Sequence, residues 1–578
     1  MDGHQRLDGL ERALIAGRIT RRTFVVAAMA TGILAGDAVQ ALAAELDDIR
    51  AAQAKRVGSL KKSYDYIVVG TGSAACALVG TLAKRSSASI LLLEAGDWDT
   101  AASVEDPRLW FTNLGTERSW NDLSIPRPAV NNRAIAEFTG RVVGGGSSIN
   151  ATIWARPFKA DLDHWAQVSG DRRWGYRHGR ALLKSVEDWQ GTPNPTFRGT
   201  GGPVWVQPAA DPLPLASAAL DGFREVGLPV VDDLNTEREL TGNGFGYMNQ
   251  IIKDGRRHSM ARAFLYPVLT QQNVTLLVNT QVNRVILKHN RAVGVECVRN
   301  GQRVTFGAEG EVILSAGGFN TPKLLMLSGI GHQRELTALD IPVRVHAPEV
   351  GKNVQDHILH GGCLFEAPEP FVYRNSAANV SGYLKTDASF ELPDVSLVQI
   401  ELPYASDVIA ERYQPPPTSW ALCAGLVTPK SRGTVRLRSA NPADRPIVDM
   451  QFLSHPDDVA KLARSIEIAR AVAATTAMKP FVVREVAPGR ALNGTELTNF
   501  IRDGATTYFH SSGACRMGND NRAVVDAELR VNGIRNLRIA DSTIMPRIAA
   551  VPTMPACVLI GLRLAELLST RRTAGGEE

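Results

Sequence analysis

The sequence has few cysteines, and their spacing supports neither a disulfide framework nor a metal site. Its six cysteines are scattered over 578 residues without a Cys-x-x-Cys pair, so we expect buried free thiols and no covalently attached haem. The patterns His-Glu-x-x-His, Gly-x-x-x-x-Gly-Lys-Ser/Thr and Gly-x-Ser-x-Gly are also absent. Their absence removes the local signatures of zinc proteases, P-loop nucleotidases and serine hydrolases. We therefore predict no metal site.

The sequence also lacks an excess of one charge and any apolar run long enough to span a bilayer. Its 64 Lys and Arg against 59 Asp and Glu give a formal net charge of +5 with both signs interspersed, which argues against a nucleic-acid partner. The apolar run 24–36 is shorter than the ~20 residues of a membrane-spanning helix, so no integral membrane segment is expected. A hydrophobic content of 44% indicates a globular protein of enzyme size.

The N-terminal segment has the parts of a bacterial twin-arginine export signal. Arg21 and Arg22 precede the apolar run 24–36, and residues 41–43 form an Ala-x-Ala cleavage site. We expect residues 1–43 to be a signal peptide and the mature protein to be periplasmic or otherwise exported. Because this route transports folded proteins, it suits a protein that acquires its cofactor before export.

A strand, a glycine-rich turn, a helix and a second strand follow one another at 64–94. The apolar run 64–69 leads into the turn GTGSAA (70–75), and the buried strand 90–93 ends at Glu94. This order of strand, turn, helix, strand and acid is typical of a unit that binds a dinucleotide, either NAD or FAD.

Each position of this unit has a physical role. Gly70 permits the sharp turn, Gly72 lets the backbone approach a pyrophosphate, and Ala75 keeps the helix close to the strand. The helix that opens at Ser73 offers unpaired N–H groups to the anion. Glu94 is placed to accept hydrogen bonds from the ribose hydroxyls, and its charge would repel a 2′-phosphate.

Two more glycine clusters follow, GRVVGGGSSIN (140–150) and AGGFNTPKLLMLSGIG (316–331). In the second of them, Pro322 opens a helix that Gly329 closes. Together with 64–94, these stretches resemble the glucose–methanol–choline (GMC) oxidoreductase family of flavoenzymes. Further matching pieces, spread over nearly the whole mature chain, are GGP (201–203), GRRHS (255–259), VGKNVQDH (350–357), HSSGACRMG (510–518) and LRIAD (537–541).

The resemblance implies an α/β fold with a Rossmann-like FAD-binding domain assembled from discontinuous segments and a substrate-binding domain with a mixed β-sheet. The expected segments are 63–155, 241–360 and 501–570 for the FAD-binding domain, 156–240 for substrate-binding or covering segments, and 361–500 for the substrate-binding domain. Runs with strand character at 274–278, 282–287, 293–298 and 303–306 predict a β-meander before a parallel strand at 312–314.

The resemblance also implies FAD as cofactor and assigns the positions that contact it. Those positions are Gly70, Gly72, Ser73, Ala75, Glu94, Val143, Gly145, Asn150, Val282, Asp541 and Thr553. Family members that bind flavin covalently use a histidine in the cluster that corresponds to 140–150, and Ile149 occupies that position here. We therefore expect non-covalent FAD.

The catalytic base implied by the resemblance is His510, which follows Phe509. A core histidine without catalytic function is the alternative. The family usually places a second His or Asn in the C-terminal loop, but Pro552 occupies that position, and its side chain cannot hydrogen-bond an alcohol. Phe509, Pro552 and Thr553 are the possible substrate contacts. Loss of one hydrogen bond to the reacting oxygen would cost on the order of a hundredfold in rate.

The predicted function is oxidation of the CH–OH group of a small-molecule alcohol, with proton abstraction by His510 and hydride transfer to flavin N5. Phe509 and the apolar segments within 361–425 favour a primary alcohol, aryl or furanic. Because Pro552 replaces the usual partner, a flavin-bearing lyase or decarboxylase is the alternative, and a non-enzymatic flavoprotein is the third hypothesis. Oxygen, a quinone and a separate cytochrome all stay open as the electron acceptor.

Overall fold

The computed structural model describes the backbone of residues 37–574 and the side chains of residues 46–569. Most of the predicted export signal, including Arg21, Arg22 and the run 24–36, lies outside the described residues. None of the described helices combines the length and the apolar character that crossing a bilayer requires.

The longer helices and the strands that matter for the site are numbered along the chain. The helices are α1 (Asp37–Val57), α2 (Ser73–Arg85), α3 (Lys159–Ser169), α4 (Tyr176–Ser185), α5 (Pro214–Glu225), α6 (Asn320–Leu327), α7 (Pro456–Ala473), α8 (Gly494–Gly504) and α9 (Met554–Ala574). The strands are β1 (Ser63–Val69), β2 (Ile90–Leu93), β3 (Ser119–Leu123), β4 (Ala136–Gly140), β5 (Gly244–Tyr247), β6 (Val274–Leu277), β7 (Thr280–Lys288), β8 (Arg291–Arg299), β9 (Gln302–Leu314), β10 (Ile358–His360), β11 (Leu364–Glu366), β12 (Ala378–Leu384), β13 (Val395–Ile400), β14 (Ser419–Leu426), β15 (Arg484–Ala487), β16 (Ala505–Thr507) and β17 (Leu537–Ile539).

The first sheet is built around the predicted nucleotide-binding unit. Its strand order is β6-β2-β1-β9-β8-β7, and β17 also pairs with β9. Strands β6, β2, β1, β9 and β17 pair in parallel, and β2 is buried along its whole length, as expected for a parallel strand covered on both faces. Helices α2 and α9 pack together so closely that a Cβ at Gly561 would lie 2.1 Å from the Ala74 carbonyl oxygen.

The strand boundaries of this sheet differ from the sequence prediction in two places. Residues Gln302–Leu314 form one strand instead of separate strands at 303–306 and 312–314. Glycines and glutamates between the two runs weaken strand propensity, but β1 pairs along them from Ser63 to Tyr66 and holds them extended. The predicted first strand of the meander, β6, pairs in parallel with β2 instead, so the antiparallel meander consists of β7, β8 and the first half of β9.

The second sheet has the strand order β15-β11-β14-β13-β12-β5, and β10 pairs with both β14 and β16. Its strands pair antiparallel, whereas the first sheet is mixed, with parallel and antiparallel strands joining at β9. Strands β5, β10 and β16 come from segments that the sequence assigns to the FAD-binding domain. They lie in the second sheet because they pair with strands that are distant in the chain. The predicted α/β fold, with a discontinuous nucleotide-binding domain and a separate sheet, is confirmed.

Candidate active site

A single cavity extends from the glycine turn after β1 to strands β10 and β13 of the second sheet. It therefore lies where the two sheets face each other, with the nucleotide-binding turns at one end and the second sheet at the other. The predicted site residues on its wall are Gly70, Gly72, Ser73, Glu94, Gly145, Asn150, Val282, Phe509, His510, Asp541, Pro552 and Thr553.

Two predicted cofactor contacts, Ala75 and Val143, lie behind the cavity wall. Both side chains are fully buried. Ala75 is inside α2, where a small side chain permits close packing of the helix, and the Val143 backbone N–H donates to the Asp97 carbonyl oxygen at 2.9 Å. Neither residue is part of the cavity wall, and each supports the adjacent glycine turn, so their contact with FAD stays a prediction.

The glycines at the nucleotide end form a cradle that fits a pyrophosphate. A Cβ at Gly72, Gly146 or Gly317 would meet nothing within 4 Å, so each of these glycines leaves open space on the cavity wall. The first residues of α2 follow Gly72, and no side chain caps this helix end, which leaves its N–H groups available to an anion. Gly145 packs on Gly72 so tightly that its Cβ would lie 2.8 Å from the Gly72 Cα.

Glu94 lies beside this cradle with its carboxylate already partly engaged. The Thr71 hydroxyl donates to Glu94 Oε2 at 2.6 Å, and the Gly96 backbone N–H donates to Oε1 at 2.8 Å. Burial raises the pKa of Glu94, and these hydrogen bonds oppose the rise. Because each carboxylate oxygen can accept more than one hydrogen bond, Glu94 retains acceptor capacity for a ribose hydroxyl.

Asp541 organises the third glycine cluster. Its Oδ2 accepts from the Gly317 backbone N–H at 2.9 Å and from the Thr321 hydroxyl at 2.5 Å, while its Oδ1 accepts from the Thr543 backbone N–H at 3.0 Å. The family resemblance implies a contact between Asp541 and FAD. In the structure these bonds make Asp541 a support for the Gly317 turn that also lines the cavity.

Asn150 connects the second glycine cluster to the start of α9. Its Nδ2 donates to Met554 Sδ at 3.3 Å, and its Oδ1 accepts from Arg257 Nη1 at 2.9 Å. Burial lowers the pKa of Arg257 to about 9. Arg257 belongs to the GRRHS piece, but only the fold shows that its guanidinium braces the wall of the cofactor site.

His510 is half-buried at the cavity wall and is held from two sides. Its Nδ1 lies 3.0 Å from His357 Nδ1, and its ring stacks on Tyr508 with the centroids 4.8 Å apart. Burial lowers the pKa of His510 well below its usual value, and His357 lowers it further, so His510 is neutral at neutral pH. A base at Nε2 requires the proton of neutral His510 on Nδ1, from which it donates to His357 Nδ1.

Pairing of β10 with β16 produces this arrangement. Ile358 lies opposite Thr507, so the segments next to these strands, Asp356–His357 and 508–510, meet at one end of the pair. The backbone N–H of His510 donates to Asp356 Oδ1 at 2.8 Å. The sequence marks 350–357 only as a matching motif, and it does not show that Asp356, His357 and Tyr508 surround His510.

The cavity around His510 is an aromatic and aliphatic chamber. Its side chains include Trp110, Leu114, Trp120, Phe138, Leu359, Val398, Ile400, Tyr404, Tyr508 and Phe509. The rings of Phe138 and Phe509 lie 6.2 Å apart. Apart from His510, the cavity wall has three acidic or basic side chains, and all of them lie at the end next to the first sheet. They are Glu94, Lys323 and Asp541. Pro552 and Thr553 complete the wall where α9 begins, so the chamber offers flat apolar surfaces to a ligand.

Replacing Gly72 with valine should give a folded protein without flavin. A Cβ at Gly72 clashes with no protein atom, but a larger side chain there fills the space next to the N-terminus of α2. The measurement is the ratio of flavin to protein absorbance, with circular dichroism as the check on folding. Gly494→Val, at an open glycine at the start of α8, is the matched control and should keep its flavin. Full flavin content in Gly72→Val would contradict the placement of the pyrophosphate.

Known proteins with similar sequence or structure are oxidoreductases. An alcohol dehydrogenase [acceptor] of Pseudomonas putida is 33% identical over 537 residues, which cover 87% of this chain and 95% of that protein. An oxygen-dependent choline dehydrogenase of Brucella suis is 33% identical over 531 residues, with 87% and 95% covered. The crystal structure of pyridoxine 4-oxidase from Mesorbium loti matches with a TM-score of 0.83 and 30% identity, covering 87% of this chain and 99% of that chain.

Two family models described as GMC oxidoreductase match this chain at residues 64–359 and 429–561. The first range contains the three glycine clusters of the cradle, and the second contains His510 and the loop with Pro552. The glycine cradle fits the cofactor on which this family depends. The chain therefore belongs to the GMC oxidoreductase family, and its cofactor is FAD.

Proposed function

We propose that this protein oxidises an uncharged aromatic or heteroaromatic primary alcohol to the aldehyde. The observation that carries the proposal is a neutral, half-buried His510 at the wall of an aromatic chamber whose described side chains include no carboxylate. The alcohol dehydrogenase and pyridoxine 4-oxidase among the similar proteins support it, since both names describe alcohol oxidation, the second of a heteroaromatic compound. Choline, the substrate named for other relatives, is a cation that aromatic faces can bind, so it belongs in the same substrate comparison as the aromatic alcohols.

His510 is the group that takes the hydroxyl proton. Its neutral form is kept by burial, its Nδ1 is engaged with His357, and its Nε2 is therefore the nitrogen left to accept the proton. Stacking on Tyr508 fixes the plane of the imidazole ring. Bound FAD supplies the acceptor for the hydride that leaves the carbinol carbon.

The aromatic walls hold the carbinol carbon in place. Phe138 and Phe509 pack against each other and present flat surfaces to a ring substrate. Pro552 contributes no hydrogen bond to the reacting oxygen, and Thr553 supplies the hydroxyl on the same part of the wall. Orientation of the alcohol therefore depends on ring packing and on His510 more than on a second polar side chain.

Further proposals concern the link to the cofactor and the alternative chemistry. Ile149 lies on the cavity wall where a histidine would be needed for a covalent bond, which supports non-covalent FAD. None of the relatives named above is a lyase or decarboxylase, and the dehydrogenases and the oxidase among them support oxidation instead. Quinone, a separate cytochrome and oxygen are the acceptors to be compared.

Anaerobic mixing of the purified protein with aryl and furanic primary alcohols should bleach the flavin absorbance band. In a stopped-flow experiment this loss should be complete within seconds. His510→Ala should keep its FAD and slow this bleaching by about 10²–10⁴-fold, because the proton acceptor is removed. His178→Ala, which changes a histidine paired with Glu566 outside the cavity, is the matched control and should bleach at the normal rate. Flavin that stays oxidised with every alcohol would refute the oxidation, and addition of oxygen or a quinone afterwards identifies the acceptor.

The activity should resist acid more than an exposed histidine would allow. The active form of His510 is neutral, and burial together with His357 lowers its pKa, so its protonation requires a pH below the ordinary histidine value of about 6.5. The pH profile of kcat/KM should therefore stay level through that value and fall only in more acidic solution. A profile that already declines at or above about 6.5 would contradict His510 as the base.

We also propose export to the periplasm by the twin-arginine route. Replacing Arg21 and Arg22 together with lysine should leave folded, FAD-loaded enzyme in the cytoplasm, because the paired arginines form the signal. Cell fractionation with an antibody against the protein measures this distribution. Arg18→Lys, close to the pair but outside it, serves as control and should be exported. Export of the double variant at the normal level would exclude this route.

A further inference from the structure

The turn that carries His510 is held by one carboxylate and one hydroxyl. Asp356 Oδ1 accepts from the His510 backbone N–H at 2.8 Å, and Asp356 Oδ2 accepts from the Thr507 hydroxyl. The Phe509 backbone N–H donates to Thr507 Oγ1 at 2.8 Å. Phe509 has a φ of 65°, a left-handed conformation that persists in a bulky residue only when its surroundings hold it. The backbone of the catalytic histidine therefore depends on Thr507.

A second buried acid, Glu137 on β4, contacts the same hydroxyl. Glu137 is 1% exposed, its Oε1 has no hydrogen-bond partner, and its carboxyl group lies within reach of the Thr507 hydroxyl. A hydroxyl has one proton to donate and two lone pairs that accept. The Thr507 proton goes to Asp356, and one lone pair accepts from Phe509. The second lone pair is left for Glu137, which can use it only as a donor, with its carboxyl group protonated.

The charges around Glu137 also favour its protonated form. Burial raises the pKa of Glu137 well above its usual value, the Asp356 carboxylate raises it further, and the contact with Thr507 opposes part of this rise. Asp122 lies directly opposite Glu137 in the pair formed by β3 and β4, is 3% exposed and has an unpaired Oδ2. Burial raises the pKa of Asp122 too, and Arg445 and Lys323 oppose that rise.

Asp356 is the member of the Glu137–Asp356 pair that keeps the negative charge. Burial raises the pKa of Asp356 to about 7, but the Thr507 hydroxyl and the backbone N–H groups of His510 and His357 donate to it and oppose that rise. Hydrogen bonds to a carboxylate stabilise its ionised form, and Glu137 lacks a comparable set of donors. Two charged carboxylates in one buried site repel each other strongly, so the pair holds one proton, and the donors place it on Glu137.

We propose that Glu137 is a positioning residue that works as a neutral carboxylic acid. Its proton completes the hydrogen bonds of Thr507 and thereby keeps the His510 turn in its reactive arrangement. This proton is lost at alkaline pH. Ionised Glu137 would compete with Asp356 for the single Thr507 proton and would loosen the left-handed turn at Phe509. The kinetic consequence rests on the proposed alcohol oxidation, whereas the protonation state of Glu137 does not.

The kinetic test compares Glu137→Gln with Glu137→Ala. Glutamine has an N–H donor for Thr507 and cannot ionise, so Glu137→Gln should keep most of the neutral-pH kcat while the alkaline fall in kcat moves up by at least about one pH unit or disappears. Glu137→Ala, which leaves Thr507 without its donor, should lower kcat about tenfold at every pH, with KM and FAD content little changed. Glu117→Gln, an exposed acid just before β3, is the matched control with a wild-type profile.

Two readouts need no substrate. The infrared spectrum of the wild type should contain one carbonyl band of a protonated carboxyl group that Glu137→Gln lacks. Because folded Glu137 holds its proton to a higher pH than the unfolded chain, rising pH above about 4.3 destabilises the wild type relative to the variant. The melting-temperature advantage of Glu137→Gln should therefore grow with pH.

The outcomes separate this proposal from the proposed function. Any of three results would overturn the role of Glu137. The alkaline fall in kcat could be identical in wild type and Glu137→Gln, the infrared band could be unchanged in the variant, or the melting-temperature difference could fail to grow with pH. If no alcohol bleaches the flavin, the proposed oxidation fails, and the infrared and melting experiments still decide whether Glu137 is protonated.

Discussion

The antiparallel pairing of β10 with β16 is the contact on which the catalytic site depends. Its register brings Asp356–His357 beside 508–510, and from that follow the contact between the two histidine rings, the hydrogen bond from the His510 backbone to Asp356, and the stacking of Tyr508. A slip of one residue would send these side chains to the opposite face of the sheet, because successive residues of a strand alternate in direction. The pairing thus sets both the position and the neutral state of the base.

The cavity divides its chemistry between its two ends. At the first sheet, open glycines and a free helix end provide backbone N–H groups, and Glu94, Lys323 and Asp541 are the charged side chains. At the second sheet, aromatic and aliphatic side chains surround His510. An apolar environment strengthens the hydrogen bonds that remain in it and disfavours a charged imidazole. The same burial therefore keeps the base neutral.

Pro552 increases the importance of the support beneath His510. Without a second polar side chain at that position, fewer groups align the reacting oxygen. A small displacement of the base would therefore lower the reaction rate strongly. The base is kept in place by a hydrogen-bonded turn, in which Thr507 accepts from the Phe509 amide and Asp356 accepts from the His510 amide and the Thr507 hydroxyl. The acid at Glu137 adds a further hydrogen bond to this turn from a separate strand pair.

Resemblance to the GMC family implied FAD and His510 as the candidate base. The sequence by itself determined the features that depend on neighbouring residues: the strand, glycine turn and helix at 64–94 and the α/β class. These are readable because positive φ, helix ends and apolar alternation are local properties. Tertiary structure alone decided that Gln302–Leu314 is one strand, that Val143 lies behind the wall, and that Glu137 meets Thr507. Strand pairing and burial bring together segments that are far apart in the chain. Where a strand ends, and whether a buried acid keeps its proton, are decided only once those segments are in contact.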